Sequence, residues 1–146
     1  MKKFFLLALT AIAAGTSAFA GPNTKSARIS DHFSSAFKNA QNVTWTTAEK
    51  YDQASFTVGA QKVDAYYDTD GELIGTIRGM DFDKLPQSAI ETITTKYTFP
   101  EYRLTDCIEF TDRASNTSYF VSFQNKKDTV VYEISKNGRL KYFATR

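Results

Sequence analysis

This sequence holds little of what usually marks an active site. Its 146 residues include one cysteine, Cys107, and one histidine, His32. A single cysteine cannot close an internal disulfide, so a packed core must hold the fold. A zinc site needs three or four His, Cys or carboxylate ligands at suitable spacing, and none is assembled here. A Cys–His nucleophile would have to pair Cys107 with a distant His32 and find a third, orienting group. The plainer reading makes His32 an exposed residue of a first helical turn and Cys107 a small strand residue. No glycine-rich phosphate loop occurs. An excess of one charge is missing too. Without Lys2 and Lys3 the 18 basic side chains become 16, against 16 acidic ones. That balance lacks the basic stripe nucleic acid demands, and it leaves no polybasic membrane patch. These absences point away from an enzyme and away from any metal or cofactor.

One long apolar run is present, Phe4 to Ala14, preceded by Met1-Lys2-Lys3 and followed by Ala18-Phe19-Ala20. A short positive start, an apolar core of this length and an A-x-A site are the parts of a secretory signal. The run is short of the ~20 apolar residues that span a bilayer. No cysteine follows it to carry a lipid anchor. The sequence thus predicts cleavage after Ala20 and delivery to the periplasm or outside, with no membrane insertion afterwards. Residues 1–20 are the leader, and Gly21 to Arg146 has the length of a single domain. With 8 tyrosines and 12 phenylalanines, the chain suits an aromatic-rich sheet.

The chain is organised around Lys62 to Arg78. Val63, Ala65 and Tyr67 alternate with Lys62, Asp64 and Tyr66, the period of a half-buried strand. Asp70-Gly71 reads as a two-residue hairpin turn. Leu73, Gly75 and Ile77 continue the inward set. The pattern returns at Asp128 to Phe143, where Asn137-Gly138 stands as Asp70-Gly71 did, Leu140 as Leu73 and Phe123 as Phe56. The offset is 67 in each case (138 − 71, 140 − 73, 123 − 56). The expected fold is therefore α+β, a tandem repeat of a helix plus a four-stranded antiparallel sheet, with units at about 28–79 and 80–146. Neither unit would bury much core alone.

The remaining elements follow from local patterns. Gly21 to Ala27 reads as a flexible lead-in. Ile29, Phe33, Phe37 and Ala40 make one helical face, predicting a helix over about 30–39 with Ser30 as its N-cap and Asp31 in its first turn. Val43 and Trp45 alternate, with Trp45 read as core, and Ala54, Phe56 and Val58 form a clean strand. Gly79 to Lys84 links the units. Pro86 opens a second helix, in which Ser88 and Glu91 have capping-box spacing and Ile90, Ile93 and Tyr97 form the buried stripe. Tyr102, Leu104, Asp106, Ile108 and Phe110 then alternate, with Cys107 on the other side. Tyr119, Val121 and Phe123 mark another strand.

Asp68-Thr69-Asp70-Gly71-Glu72 resembles a fragment of a calcium loop. It is too short for one, and its counterpart Lys136-Asn137-Gly138-Arg139 lacks carboxylates, so turn chemistry is the better account. Asp81 and Asp83 fit a solvated linker. The short Lys2-Lys3 start suggests a bacterial exporter, in which the triplets Asn42-Val43-Thr44 and Asn116-Thr117-Ser118 match a glycosylation acceptor by chance.

One candidate site remains. If helices cover the side holding Phe56, Val63, Leu73, Phe123, Val130 and Leu140, the opposite side carries Tyr66, Ile74, Arg78, Phe120, Val131, Lys141 and Phe143. Tyrosine, phenylalanine and arginine are enriched in interface cores. The predicted binding residues are Tyr66, Ile74, Arg78, Phe120, Lys141 and Phe143, all expected outside the core. A solvated sheet, or a surface covered by a second copy, are the alternatives.

A family resemblance rests on specific residues. Phe33 and Phe37 lead to Ala40-Gln41-Asn42-Val43-Thr44-Trp45, then an F-x-V strand, Tyr66 to Leu73, and Leu85-Pro86 opening a helix that ends near Tyr97. Over about 28–144 the chain resembles the PepSY-like, β-lactamase-inhibitor-like proteins exported by Bacteroidetes-type bacteria. The second unit lacks the N-V-x-W strand and the acidic turn. The resemblance implies helices on one side of an antiparallel sheet whose open side grips a protein or peptide. It carries over no catalytic residues. A structural or self-associating envelope protein is the alternative.

Overall fold

The computed structural model describes residues 27–146, so the leader and its expected cleavage after Ala20 lie outside the described residues. The chain runs α1 (Ala27–Ala36), β1 (Gln41–Ala48), β2 (Tyr51–Val58), β3 (Gln61–Tyr67), β4 (Leu73–Gly79), a 3-10 turn (Phe82–Lys84), α2 (Gln87–Lys96), β5 (Arg103–Asp112), β6 (Thr117–Gln124), β7 (Thr129–Ile134) and β8 (Leu140–Thr145). The fold is α+β. All eight strands form one open antiparallel sheet in sequence order. Each strand pairs with the next, so local hairpins build everything except the β4–β5 link, which contains α2.

The first helix starts earlier than the sequence predicts. Ile29 and Phe33 are both buried, and their four-residue spacing puts them on one face only if the helix already includes Ile29. Ser30 therefore lies inside α1 and caps nothing at its start. Pro86 is the N-cap of α2 and supplies no side-chain bond. Ser88 does not close a capping box either; its Oγ donates to the Asn137 carbonyl at 3.1 Å, tying α2 to the β7–β8 turn.

The β3–β4 and β7–β8 turns each span more than the two residues expected. Asp68 and Glu72 close the β3–β4 turn through Asp68 N–H to Glu72 O at 3.0 Å, and Gly71 N–H donates to Asp68 O at 3.0 Å. The Asp68 carboxylate also accepts the N–H groups of Asp70 and Glu72. In the β7–β8 turn, Ser135 N–H donates to Arg139 O at 3.1 Å and Gly138 N–H to Ser135 O at 2.8 Å. Gly71 and Gly138 both have φ of 79°, a left-handed conformation that costs an L side chain energy. Asp68 is thus a turn-closing acceptor.

Four irregularities interrupt the ladders. Ile74 is the extra residue where Tyr66 pairs with Gly75 but Tyr67 with Leu73. Thr105 is extra between Leu104 and Asp106, and Phe143 between Tyr142 and Ala144. A further shift lies between Gln41 and Thr44, where Asn42 has φ of 53°. A bulge inserts one residue and reverses the side of everything beyond it. Gly75 and Ile77 therefore do not continue Leu73's inward set, and Leu104 does not share a side with Asp106, Ile108 and Phe110, as unbroken alternation had predicted.

Three apolar clusters hold the molecule. One joins Ile29 and Phe33 of α1 to Ala54, Phe56, Ala65 and Tyr67, with Phe37, Trp45, Val63 and Leu73 against it. Another joins Ala89 and Ile93 of α2 to Leu85, Val121, Phe123 and Ile134. The third gathers Tyr66, Ile77, Phe110, Phe120 and Val131, with Tyr51, Ile74, Ile108 and Phe143 packed on it. Each fully buried apolar side chain is worth roughly 1.5–3 kcal/mol, so all three matter to stability.

Candidate functional site

Strand register assigns every side chain to a side. One row crosses the sheet through Phe56, Val63, Arg78, Glu109, Tyr119, Ile134 and Leu140. It begins in the cluster of α1 and ends in the cluster of α2. At its middle, Arg78 Nε and Nη2 donate to Glu109 Oε1 and Oε2 at 3.0 and 2.9 Å. The fork-to-fork geometry is the strong form of the pair, though the Arg78 side chain is 47% exposed and water screens it. A cavity of about 590 Å³ opens beside the pair, lined also by Gln61, Asp81, Lys84 and Tyr119.

The other side carries a second row: Thr44, Ser55, Asp64, Ile77, Phe110 and Ser118. Next to it run Gln53, Tyr66, Gly75 and Asp112. Gly75 has a packing reason. A Cβ there would stand 2.7 Å from the Phe110 ring and 2.5 Å from the Thr111 carbonyl, so only glycine lets Phe110 lie against β4.

The expected binding residues divide. Tyr66, Ile74, Phe120 and Phe143 gather around the third cluster, and Lys141 pairs with Glu133, which pairs with Phe120, on that same side. Arg78 is not with them. It pairs across to Val63 on the opposite side, because the Ile74 bulge reverses the alternation that had placed it. Nor are all the others outside the core: Tyr66 and Phe120 are each 2% exposed. Alternation identifies a side, but it is blind to how large aromatic side chains fill that side. Ile74 and Phe143 are half-buried and Lys141 is exposed. Burial, and then the charge of Asp64 and the neighbouring Tyr51, push the Tyr66 phenol well above its ordinary range. Tyr51, Ile77, Phe110 and Asp64 complete this surface. Only the parity of Asp64 with Tyr66 was visible in the sequence.

Cys107 and His32 are not brought together. His32 Nδ1 lies 3.0 Å from the Tyr67 hydroxyl in the α1 cluster. Cys107 packs in the α2 cluster, where burial, and then the charge of Asp81, push its thiol up to about 11. Such a thiol is a poor nucleophile near neutral pH. Among the described residues no group of three His, Cys, Asp or Glu side chains could hold a metal ion. Among them also, no helix is long and apolar enough to cross a membrane.

Comparison with solved structures places this geometry. A BLIP-like protein from Bacteroides fragilis superposes with a TM-score of 0.66 at 16% identity, covering 81% of this chain and 84% of that one. The chain has a BLIP-like fold. A DUF2874 family protein from Bacteroides ovatus gives 0.71 at 12% identity, covering 85% and 88%. A candidate periplasmic protein from Bacteroides eggerthii gives 0.69 at 9% identity, covering 82% and 86%. The structural neighbours thus all come from Bacteroides species, within the bacterial group that the chain's motifs resemble. No family model and no curated protein matches the sequence.

Proposed function

We propose that the chain is an exported, non-enzymatic binding module that engages a partner protein through the Tyr66 side of its sheet. The observation that carries this reading is the third cluster. Its described members all come from strands, and Tyr51, Tyr66, Ile74, Phe120 and Phe143 make it an aromatic-rich patch of the kind enriched in interface cores. The candidate periplasmic neighbour and the signal-like leader support export. The BLIP-like neighbour supports an inhibitor-like mode, in which a sheet surface grips a protein. The reading includes a duplicated unit whose two helices lie on the side away from the partner. The paired turn bonds at Asp68–Glu72 and Ser135–Arg139, again offset by 67 (135 − 68, 139 − 72), support that duplication.

Of the predicted binding residues, those that can reach a partner are Ile74, Lys141 and Phe143, rimming the buried Tyr66 and Phe120. Phe143→Ala and Lys141→Glu test it, because neither removes a fully buried side chain. Truncating an interface anchor costs about 1–3 kcal/mol of binding. Both variants should melt close to the wild type and lose most capture of the partner from native envelope. Wild-type capture by both variants would reject the reading. A dimer in solution that Phe143→Ala dissociates would show that a second copy occupies this side.

A further inference from the structure

Asp64 is the one carboxylate among the buried described residues, at 6% exposure, and it lies on the Tyr66 side. Its surroundings are nearly neutral. Ser55, its cross-strand partner, donates its hydroxyl to Asp64 Oδ1, and Gln53 Nε2 donates to Ser55 Oγ at 3.3 Å. Across the other edge stands Ile77. No ion pair among the described residues includes Asp64; Lys62, two positions along the strand, is exposed and makes none with it. Oδ2 accepts no bond, yet it is not among the sealed polar atoms, so it reaches the surface of the sheet. The two rows through Asp64 and Tyr66 also contain Asp112 and no lysine or arginine.

A carboxylate withdrawn from water and left without a cation is costly to keep. A neutral asparagine would satisfy Ser55 without that cost. Beside it the rings of Tyr51 and Tyr66 meet edge-on with centroids 5.6 Å apart, and aromatic faces attract cations. We infer that Asp64 is the charged anchor of the binding surface, taking the ammonium or guanidinium group of a lysine or arginine on the partner protein beside the Tyr51–Tyr66 pair. This rests on the reading that the Tyr66 side binds a protein.

The test is an NMR titration of the labelled protein with two short extended peptides, one carrying lysine at alternate positions among alanines and one carrying norleucine instead. The lysine peptide should shift the amides of Gln53, Ser55, Asp64 and Tyr66. It should bind at least tenfold more weakly to Asp64→Asn, and the norleucine peptide should be at least tenfold weaker on the wild type. Equal binding of both peptides at these amides overturns the role of Asp64 while leaving the surface intact. A lysine peptide that shifts none of them overturns the inference outright. Should Asp64→Asn fail to fold, the comparison of the two peptides on the wild type decides alone. Partner capture separates this inference from the reading beneath it. If Phe143→Ala abolishes capture and a folded Asp64→Asn does not, the inference falls and the binding surface stands; if capture survives both, both fall.

Discussion

Phe56 on one side of the sheet is 1% exposed, and Phe120 on the other is 2% exposed. They reach that burial in different company. Phe56 sits with Ile29 and Phe33 of α1, as Phe123 sits with Ala89 and Ile93 of α2. Phe120 packs with strand residues: Tyr66, Ile77, Phe110 and Val131. Polar groups are also distributed differently. Between the two helix clusters stands Arg78 with Glu109, a matched pair open to water. The other side buries Asp64 and Ser122, and among the described residues no cation is paired with Asp64. Large aromatic side chains from strands alone thus keep Phe120 as dry as the α1 cluster keeps Phe56. Two features help them do so: Gly75 admits the Phe110 ring, and bulges at Ile74 and Phe143 turn extra apolar residues toward the cluster.

The largest expected effects test whether the two sides are equally essential to folding. Phe56→Ala and Phe123→Ala should each cost about 3–5 kcal/mol, as truncation of a buried aromatic residue does. Phe120→Ala should cost a similar amount by denaturant titration. A loss below about 1 kcal/mol at Phe120 would mean that the Tyr66 side is not a core and would break the comparison.

Gly138→Ala comes next. The new Cβ would fall 1.9 Å from Ser88 Oγ at a φ of 79°, so strain and a displaced α2 add to roughly 1–3 kcal/mol. Asp70→Asn in the other turn should leave the melting temperature unchanged, since the closing acceptor is Asp68. Addition of calcium should stabilise neither the wild type nor this variant.

A smaller effect is expected at the exposed pair. A double-mutant cycle on Arg78 and Glu109 should give a coupling of about 1 kcal/mol or less, shrinking with added salt. A salt-independent coupling of several kcal/mol would show that the middle of the row is as dry as its ends.

The smallest change in stability belongs to Cys107, and its chemistry is better read by pH. Cys107→Ser should fold and bind the partner normally. With its thiol pushed up to about 11 from an ordinary 9.0, the thiolate appears only at alkaline pH. By thiolate fraction, alkylation at pH 8 should run about 100-fold slower than that of a free thiol, rising steeply toward pH 11. Rapid alkylation at neutral pH would show instead that the α2 cluster opens readily.

The sides of Phe56, Phe123, Ala65 and Tyr67 were legible because alternation has a period of two wherever the ladder is regular. Ile90, Ile93 and Tyr97 were legible through helical spacing. Arg78 was not, since the bulge at Ile74 leaves no mark in the pattern of apolar residues. The start of α1 was misplaced for a related reason: Ser30 is a good cap by type, but Ile29 is needed in the core.

Composition and periodicity by themselves determined the α+β class, the hairpins with glycine at their turns, and the side of the sheet on which Tyr66 and Phe120 lie. Those are local properties, set by backbone sterics and by the alternation of side chains along a strand. Only the tertiary structure decided that Tyr66 and Phe120 are buried, that Arg78 faces the other way to meet Glu109, and that Asp64 is withdrawn from water with no cation paired to it among the described residues. Each of these depends on register, and a single bulge residue moves a side chain from one side of the sheet to the other.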